Sequence, residues 1–336
     1  MDYPGEKLVI KLWETVAEKG VGSLFKPWQM RREGRASIEL KTEELLAIAQ
    51  AEQDAARIRR GEASLRLSGS ASKLIARDVE IQASPPTPSF EDGLPRIAED
   101  IVVADTLRRE ANITRVLLQA EEALESDPQV PPDAYVDDDW LYRWRDSASQ
   151  VSSEELQNLW GRILAGEVKA PGTYSLRTLD FLRNLSKEEA EAISKLSAFV
   201  IGDAIYREAK DILDGAGFTF GFLLYMQQLG VLAGVEAMGM SSTWSSLDKS
   251  RFAQALTSNS MVLVISGEDP AKTISLPIYQ LTAIGKQVLR LGKFEPRADY
   301  LKKVGEHFKA QNVDVELANY IDIAPGQIRY FNGEKL

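Results

Sequence analysis

The chain has 336 residues, of which 44% are hydrophobic and 27% charged, with a net charge of −10, one histidine and no cysteine. At roughly 100–200 residues per domain, that length and apolar content can build more than one core. The charge disfavours general nucleic-acid binding, because the whole-molecule field repels phosphate. Without cysteine there is no disulfide, thiolate nucleophile or Cys/His zinc site, and a histidine-based triad would need His307, in a Lys/Glu-rich helical stretch with no nucleophile motif near it.

The first segment, MDYPGEKLVIKLWE, has acidic residues interleaved and lacks the apolar core of a secretory signal. Lys7 to Ala17 has helical periodicity, with Leu8, Val9, Leu12, Trp13, Val16 and Ala17 on one face and Lys7, Lys11 and Glu14 on the other. Gly20-Val21-Gly22 stops it, and Leu24, Phe25 and Trp28 lead into Arg31, Arg32 and Arg35. An apolar face, an aromatic anchor and a basic group in that order suit an anionic lipid surface, and suit a protein partner equally well. The candidate contact residues are Leu8, Leu12, Trp13, Phe25, Trp28, Arg31 and Arg32. Arg35 to Gly61 reads as a long polar helix that needs a partner, and alternating stretches continue to Ala83. Residues 1–82 form the first region, and the proline-rich segment 83–95 is a linker.

Residues 96–214 read as a helical domain. A helix over Arg96–Ser126 is followed by a turn-rich break at Asp127–Val136. Charge is concentrated here: 11 Asp/Glu face two Arg between Ala120 and Trp160, whereas Lys26–Arg77 holds 11 Lys/Arg against seven Asp/Glu. Asp139 can cap a helix carrying Trp140, Leu141 and Trp144; the run Asp137–Asp139 fits helix N-terminal charge better than a metal site. Ser152 with Glu155 forms a capping box for a helix through Trp160 and Leu164, and Ser186 with Glu189 forms another. Between them lie the Pro171-Gly172 turn and a helix with Leu176, Leu179 and Leu182.

Residues 215–336 change character. Gly215–Val235 carries no charge over a length close to a membrane span, but its glycines and Gln227-Gln228 favour a buried core helix. Met261–Ser266 and Thr273–Ile278 alternate like the strands of a hairpin turning at Gly267–Pro270, and Leu281–Leu291 starts a helix. Helix, hairpin and helix in this order are winged-helix-like, a unit whose usual role is DNA binding. The helix before the hairpin has almost no Lys or Arg and the hairpin tip is acidic, so packing or dimerisation is the preferred role; DNA contact would fall to Lys272, Lys286 or Arg290. Asn312–Ile323 can add a strand. The expected fold is mainly α, with helical N-terminal and middle regions and a small α+β winged-helix-like C-terminal unit.

The block DDDWLYRWRDSASQVSSEELQNLWGRILAGEVKAPGTYSLRTLDFLRNLS, Asp137 to Ser186, resembles a bacterial family known only as a domain of unknown function. The D-W segment, L-W-x-x-I-L-A-G-E and P-G-T-x-S-x-R-T-L carry the resemblance. ANITRVLLQA (Ala111–Ala120) fits its N-I-E-x-I-type helix, with Thr114 in place of an acid, and KPWQMRREGRA (Lys26–Ala36) fits its basic junction. A looser similarity links the helical core to the alpha-type abortive-infection proteins of phage defence. The resemblance implies no activity. Its polar and aromatic members, Trp140, Trp160, Arg162, Glu167, Pro171, Gly172, Ser175 and Arg177, read as structural; Arg162, Glu167 and Arg177 form a buried ion pair or line a ligand site.

No motif points to a cofactor, a metal or a catalytic constellation. The expected role is therefore a non-enzymatic cytoplasmic protein, membrane-surface-associated on the inner face and acting in stress response or phage defence. The alternatives are an oligomeric scaffold, as a homo-oligomer or with a protein partner, and a DNA-binding regulator.

Overall fold

The computed structural model describes residues 3–18, scattered positions between 43 and 57, and residues 63–68, 71–76, 90–236, 240–292, 294–324 and 327–336. The chain divides into two compact units, Met1–Leu179 and Asp180–Leu336.

In the first unit, α1 (Glu6–Glu18) packs against two longer helices, α2 (Phe90–Glu125) and α4 (Glu154–Lys169), and α3 (Asp138–Ser149) packs against the same two. A short hairpin, β1 (Ala63–Ser68) with β2 (Ala71–Ala76), precedes α2. The helix α2 begins at Phe90, inside the proline-rich segment, and among residues 101–125 the first buried one is Glu110. From there Ile113, Val116, Leu117, Ala120 and Leu124 repeat at helical spacing and form one wall of the core. Gly161 sets the approach of α4 to α2, since a Cβ there would lie 2.9 Å from the Ala120 nitrogen. Asp137 caps α3 by accepting from Trp140 N, and Ser153 caps α4 by accepting from Leu156 N. Each cap therefore differs from the residue expected, Asp139 or Ser152. Beyond α4, Leu176–Arg183 forms α5.

The second unit opens with α6 (Lys187–Ser197), which carries the complete Ser186–Glu189 capping box. After it come β3 (Ala204–Tyr206), α7 (Lys210–Gly215), α8 (Phe220–Gln228), β4 (Leu232–Ala233) and β5 (Met240–Ser245). Two long strands, β6 (Phe252–Ser258) and β7 (Met261–Gly267), precede β8 (Thr273–Leu281), and α9 (Ala283–Leu289), α10 (Ala298–Lys309), β9 (Asp314–Ala324) and β10 (Gln327–Lys335) complete the chain. One sheet runs β3-β8-β4 with β5 also on β8; the other runs β10-β9-β7-β6, and every pairing is antiparallel. The amphipathic α10 touches strands of both sheets and buries Tyr300, Leu301, Val304 and Phe308. An aromatic row from Phe222 through Phe218 and Phe199 to Tyr300, with ring centroids 4.6–5.3 Å apart, joins α8 to α10.

These sheets correct the expectation of a mainly α fold. Helix makes up 51% and strand 21%, and the architecture is mixed α+β. The strands expected at Met261–Ser266 and Thr273–Ile278 exist, but they do not form a hairpin. β7 pairs with β6 and β9 in one sheet, and β8 pairs with β3, β4 and β5 in the other. The hairpin expected at the centre of a winged-helix-like unit is thus absent: β8 lies between β3 and β4 in its sheet, and β6 and β7 intervene between β5 and β8 in the chain. The uncharged Gly215–Val235 stretch is likewise not one core helix. Gly217 (φ 83°) and Gly230 (φ 81°) hold left-handed turns that bracket the nine-residue α8.

Candidate functional site

The candidate contact face at the N-terminus is occupied from within its own unit. Leu8, Leu12 and Trp13 are buried, together with Val9 and Val16, against α2 and α4. Ala17 is exposed. Phe25, Trp28, Arg31 and Arg32 lie outside the described residues, as does most of the long polar helix expected over Arg35–Gly61.

The signature block is built from the same local chemistry that folds it. Trp140 donates its indole N–H to Tyr174 O at 2.6 Å, and Trp144 donates to Trp160 O at 2.9 Å, so two fully packed indoles also satisfy their polar edge. Glu167 is 2% exposed. Its carboxylate accepts from Gly172 N at 2.5 Å and Tyr174 N at 3.0 Å, clamping the turn that Pro171 and Gly172 (φ 87°) make. Burial raises the Glu167 pKa, against the opposing pull of the backbone N–H groups of Gly172, Tyr174 and Thr173. Ser175 accepts from Thr178 N and starts α5. Arg162 and Arg177 are both exposed and make no ion pair with Glu167. The block brings its buried residues into one packed turn and leaves the two arginines facing solvent.

A half-buried ion pair does exist in this unit, between residues the sequence did not single out. Arg145 Nη2 meets Glu110 Oε1 at 2.5 Å across 35 residues of chain, with the Glu110 side chain 7% exposed. Glu110 Oε2 and Arg145 Nε find no partner among the described residues. Thr114, where the family helix is expected to carry an acid, is buried and donates to the Glu110 carbonyl one turn back. The position of Glu110 within α2 offered no signal for its pairing with Arg145.

In the second unit, α8 follows α7 across the turn at Gly217. Leu223 and Met226 face inward; Phe220 (62% exposed) and Tyr225 (41%) face outward, and the helix FGFLLYMQQ has no Lys or Arg. Tyr225 donates to Glu189 Oε1 at 3.3 Å, adding acid beside that face. His307 is half-buried rather than free on a helix surface: its Nδ1 lies 3.2 Å from Tyr206 Oη and its Nε2 lies 3.2 Å from Ser275 O. A carbonyl can only accept, so Nε2 carries a proton there, and in the neutral ring the Tyr206 hydroxyl is the donor to Nδ1. Burial raises the Tyr206 pKa, which keeps that donor protonated.

Among the described residues, the β9–β10 hairpin gathers four large apolar side chains that are about half exposed. β7 pairs with β9 over Asp314–Asn319 only, so the outer part of the hairpin continues as two strands. Ile321 (50% exposed), Ile323 (51%), Tyr330 (47%) and Phe331 (45%) lie along it, and β10 is the edge of its sheet. A bulge between Phe331 and Glu334, with Asn332 at φ 56°, interrupts the inner part of that edge. A groove of about 480 Å³ lies on the same sheet, lined by Ala255, Val264, Glu316 and Tyr330. No group of three or more metal-ligating carboxylate or histidine side chains occurs among the described residues.

The fold and its exposed features define a mixed α+β protein with two antiparallel sheets and an outward β-hairpin. A family model described as "Protein of unknown function (DUF2806)" matches residues 98–305, more than half of the chain, and the chain belongs to that family. No curated protein and no solved structure matches it.

Proposed function

We infer that the chain acts through protein contacts, as a self-associating interaction scaffold. The observation that carries this reading is the outer β9–β10 hairpin, where four large apolar side chains stand about half exposed beside an open strand edge. Edges of this kind are usually blunted by charge, proline or cover, because they template pairing with another chain. Here the bulge blunts the inner segment, and Ile328–Phe331 remains regular. Two copies meeting edge to edge by a two-fold axis would pair Ile328–Phe331 and extend the four-stranded sheet. Sedimentation velocity over a range of concentrations tests it. The native chain sediments as a dimer or larger species, and Ile323→Lys with Phe331→Glu returns it to monomer without lowering its melting temperature. A native chain that stays monomeric at high concentration removes the reading.

Lys286 and Arg290, one turn apart at the end of α9, favour a second reading, a DNA-binding regulator. Against it stand the absence of cations from α8, the aromatic character of its outer face and the acid at Glu189. A low-salt gel shift that disappears in Lys286→Gln or Arg290→Gln supports this second reading; no shift with any duplex removes it. The membrane-surface reading retains little from α1, whose apolar face is buried in its own unit.

A further inference from the structure

A cavity of about 180 Å³ lies within the second unit, where the end of α6, the turn into β3, the β6–β7 turn and α9 converge. Its walls are tied together by hydrogen bonds. Gly202 N donates to Thr257 O at 2.7 Å, the buried Ser258 hydroxyl donates to Val200 O at 2.6 Å, and Asn259 Nδ2 donates to Ser197 O at 3.3 Å. The space is therefore pre-formed by hydrogen bonds to backbone carbonyls rather than left between loose side chains.

One face of α9 supplies the chemistry. Lys286, Leu289 and Arg290 fall at i, i+3 and i+4, and all three line the cavity. Two like charges one turn apart repel each other, so this placement calls for anionic charge between them. Asp203 supplies part of it, accepting from Lys286 Nζ at 2.6 Å. Arg290 lines the cavity, is exposed and has no carboxylate partner among the described residues. The lining thus holds two cations and one carboxylate in a chain whose net charge is −10. Thr257 adds a hydroxyl, and Leu289 with Phe294 adds an apolar wall.

We propose that this cavity binds a small organic oxyanion, a carboxylate or phosphate ester on a short apolar body. The oxyanion sits between Arg290 and Lys286, and the body lies against Leu289 and Phe294. A planar guanidinium suits two oxygens of either group, and the neighbouring ammonium adds a point charge. The volume lies below the roughly 300–1,000 Å³ of pockets for drug-sized ligands, which restricts the occupant to a small metabolite.

The test is isothermal titration of the full chain with phenyl phosphate, benzoate and inorganic phosphate, each against sodium chloride at matched ionic strength. Saturable binding of phenyl phosphate or benzoate, tighter than inorganic phosphate, is expected, and the tighter of the two organic probes identifies the head group. Arg290→Gln weakens that binding at least tenfold, whereas Arg251→Gln, on the separate sheet groove, leaves it unchanged. Arg290 is exposed, so its replacement keeps the native melting temperature and reports on binding rather than folding. Absence of saturable binding overturns the proposal, as does equal binding by Arg290→Gln or heat no greater than the chloride control.

Discussion

The helical signature block and the two-sheet unit hold themselves together across very different lengths of chain. In the block, Glu167 clamps a turn five to seven residues away, and Trp144 reaches Trp160 across 16 residues. In the second unit, the Tyr300 hydroxyl accepts from Tyr206 N across 94 residues, and the Tyr206 hydroxyl meets His307 across 101. The first kind of contact forms early at small cost in loop closure, whereas the second forms only when distant strands have met. The block is thus a locally specified scaffold, and the second unit depends on a few long-range anchors.

The largest effect expected from breaking either region is in the block. Trp144→Ala removes a fully buried indole and its bond to Trp160 O, at a cost of about 3–5 kcal/mol, read by urea denaturation. Tyr300→Phe probes the long-range anchor: it leaves Tyr206 N without its buried acceptor, costing about 1–3 kcal/mol. Because that bond closes a 94-residue loop, the loss should fall on the unfolding rate more than on the folding rate.

Glu167→Gln sharpens the local side, at about 1–3 kcal/mol near pH 4.5. Burial raises the folded-state pKa of Glu167 above its ordinary 4.5, so its contribution is greatest below that value and declines as pH rises through the raised pKa. The cost of the substitution therefore shrinks from acid toward neutral pH, and a cost that grows over that range contradicts the burial argument. The smallest effect belongs to Ser186→Ala, which removes one half of an exposed capping box and costs about 1 kcal/mol in thermal unfolding.

The same difference decides what could be seen in the sequence. Caps and helical periodicity are local, so α3, α4, α5 and the Ser186–Glu189 box were legible, with the caps of α3 and α4 displaced by one or two residues. Sheet partners are not local. β7 and β8 alternate and are separated by a turn, which is the pattern of a hairpin, yet each was claimed by strands from elsewhere in the chain. β5 (MSSTWS), β6 (FAQALTS) and β10 (QIRYFNGEK) are rich in Ser, Ala, Gln, Asn or Gly and carry weak strand signals of their own. Their place follows from β7, β8 and β9, the long strands they pair with. Among functional features, the tryptophans and Glu167 stood out by residue type. The exposed hairpin did not, because half-exposed Ile323 and Phe331 have the same letters as core residues.

The absence of cysteine from the chain permits a direct test of self-association through that hairpin. Ile323→Cys places one thiol on the outer hairpin, and Ser250→Cys places one at an exposed position outside it. With a short bismaleimide, the account predicts a covalent dimer from Ile323→Cys that fades on dilution no faster than the sedimenting dimer, and monomer from Ser250→Cys. Equal yields from both positions, or none from Ile323→Cys at concentrations where the native chain is associated, would contradict it.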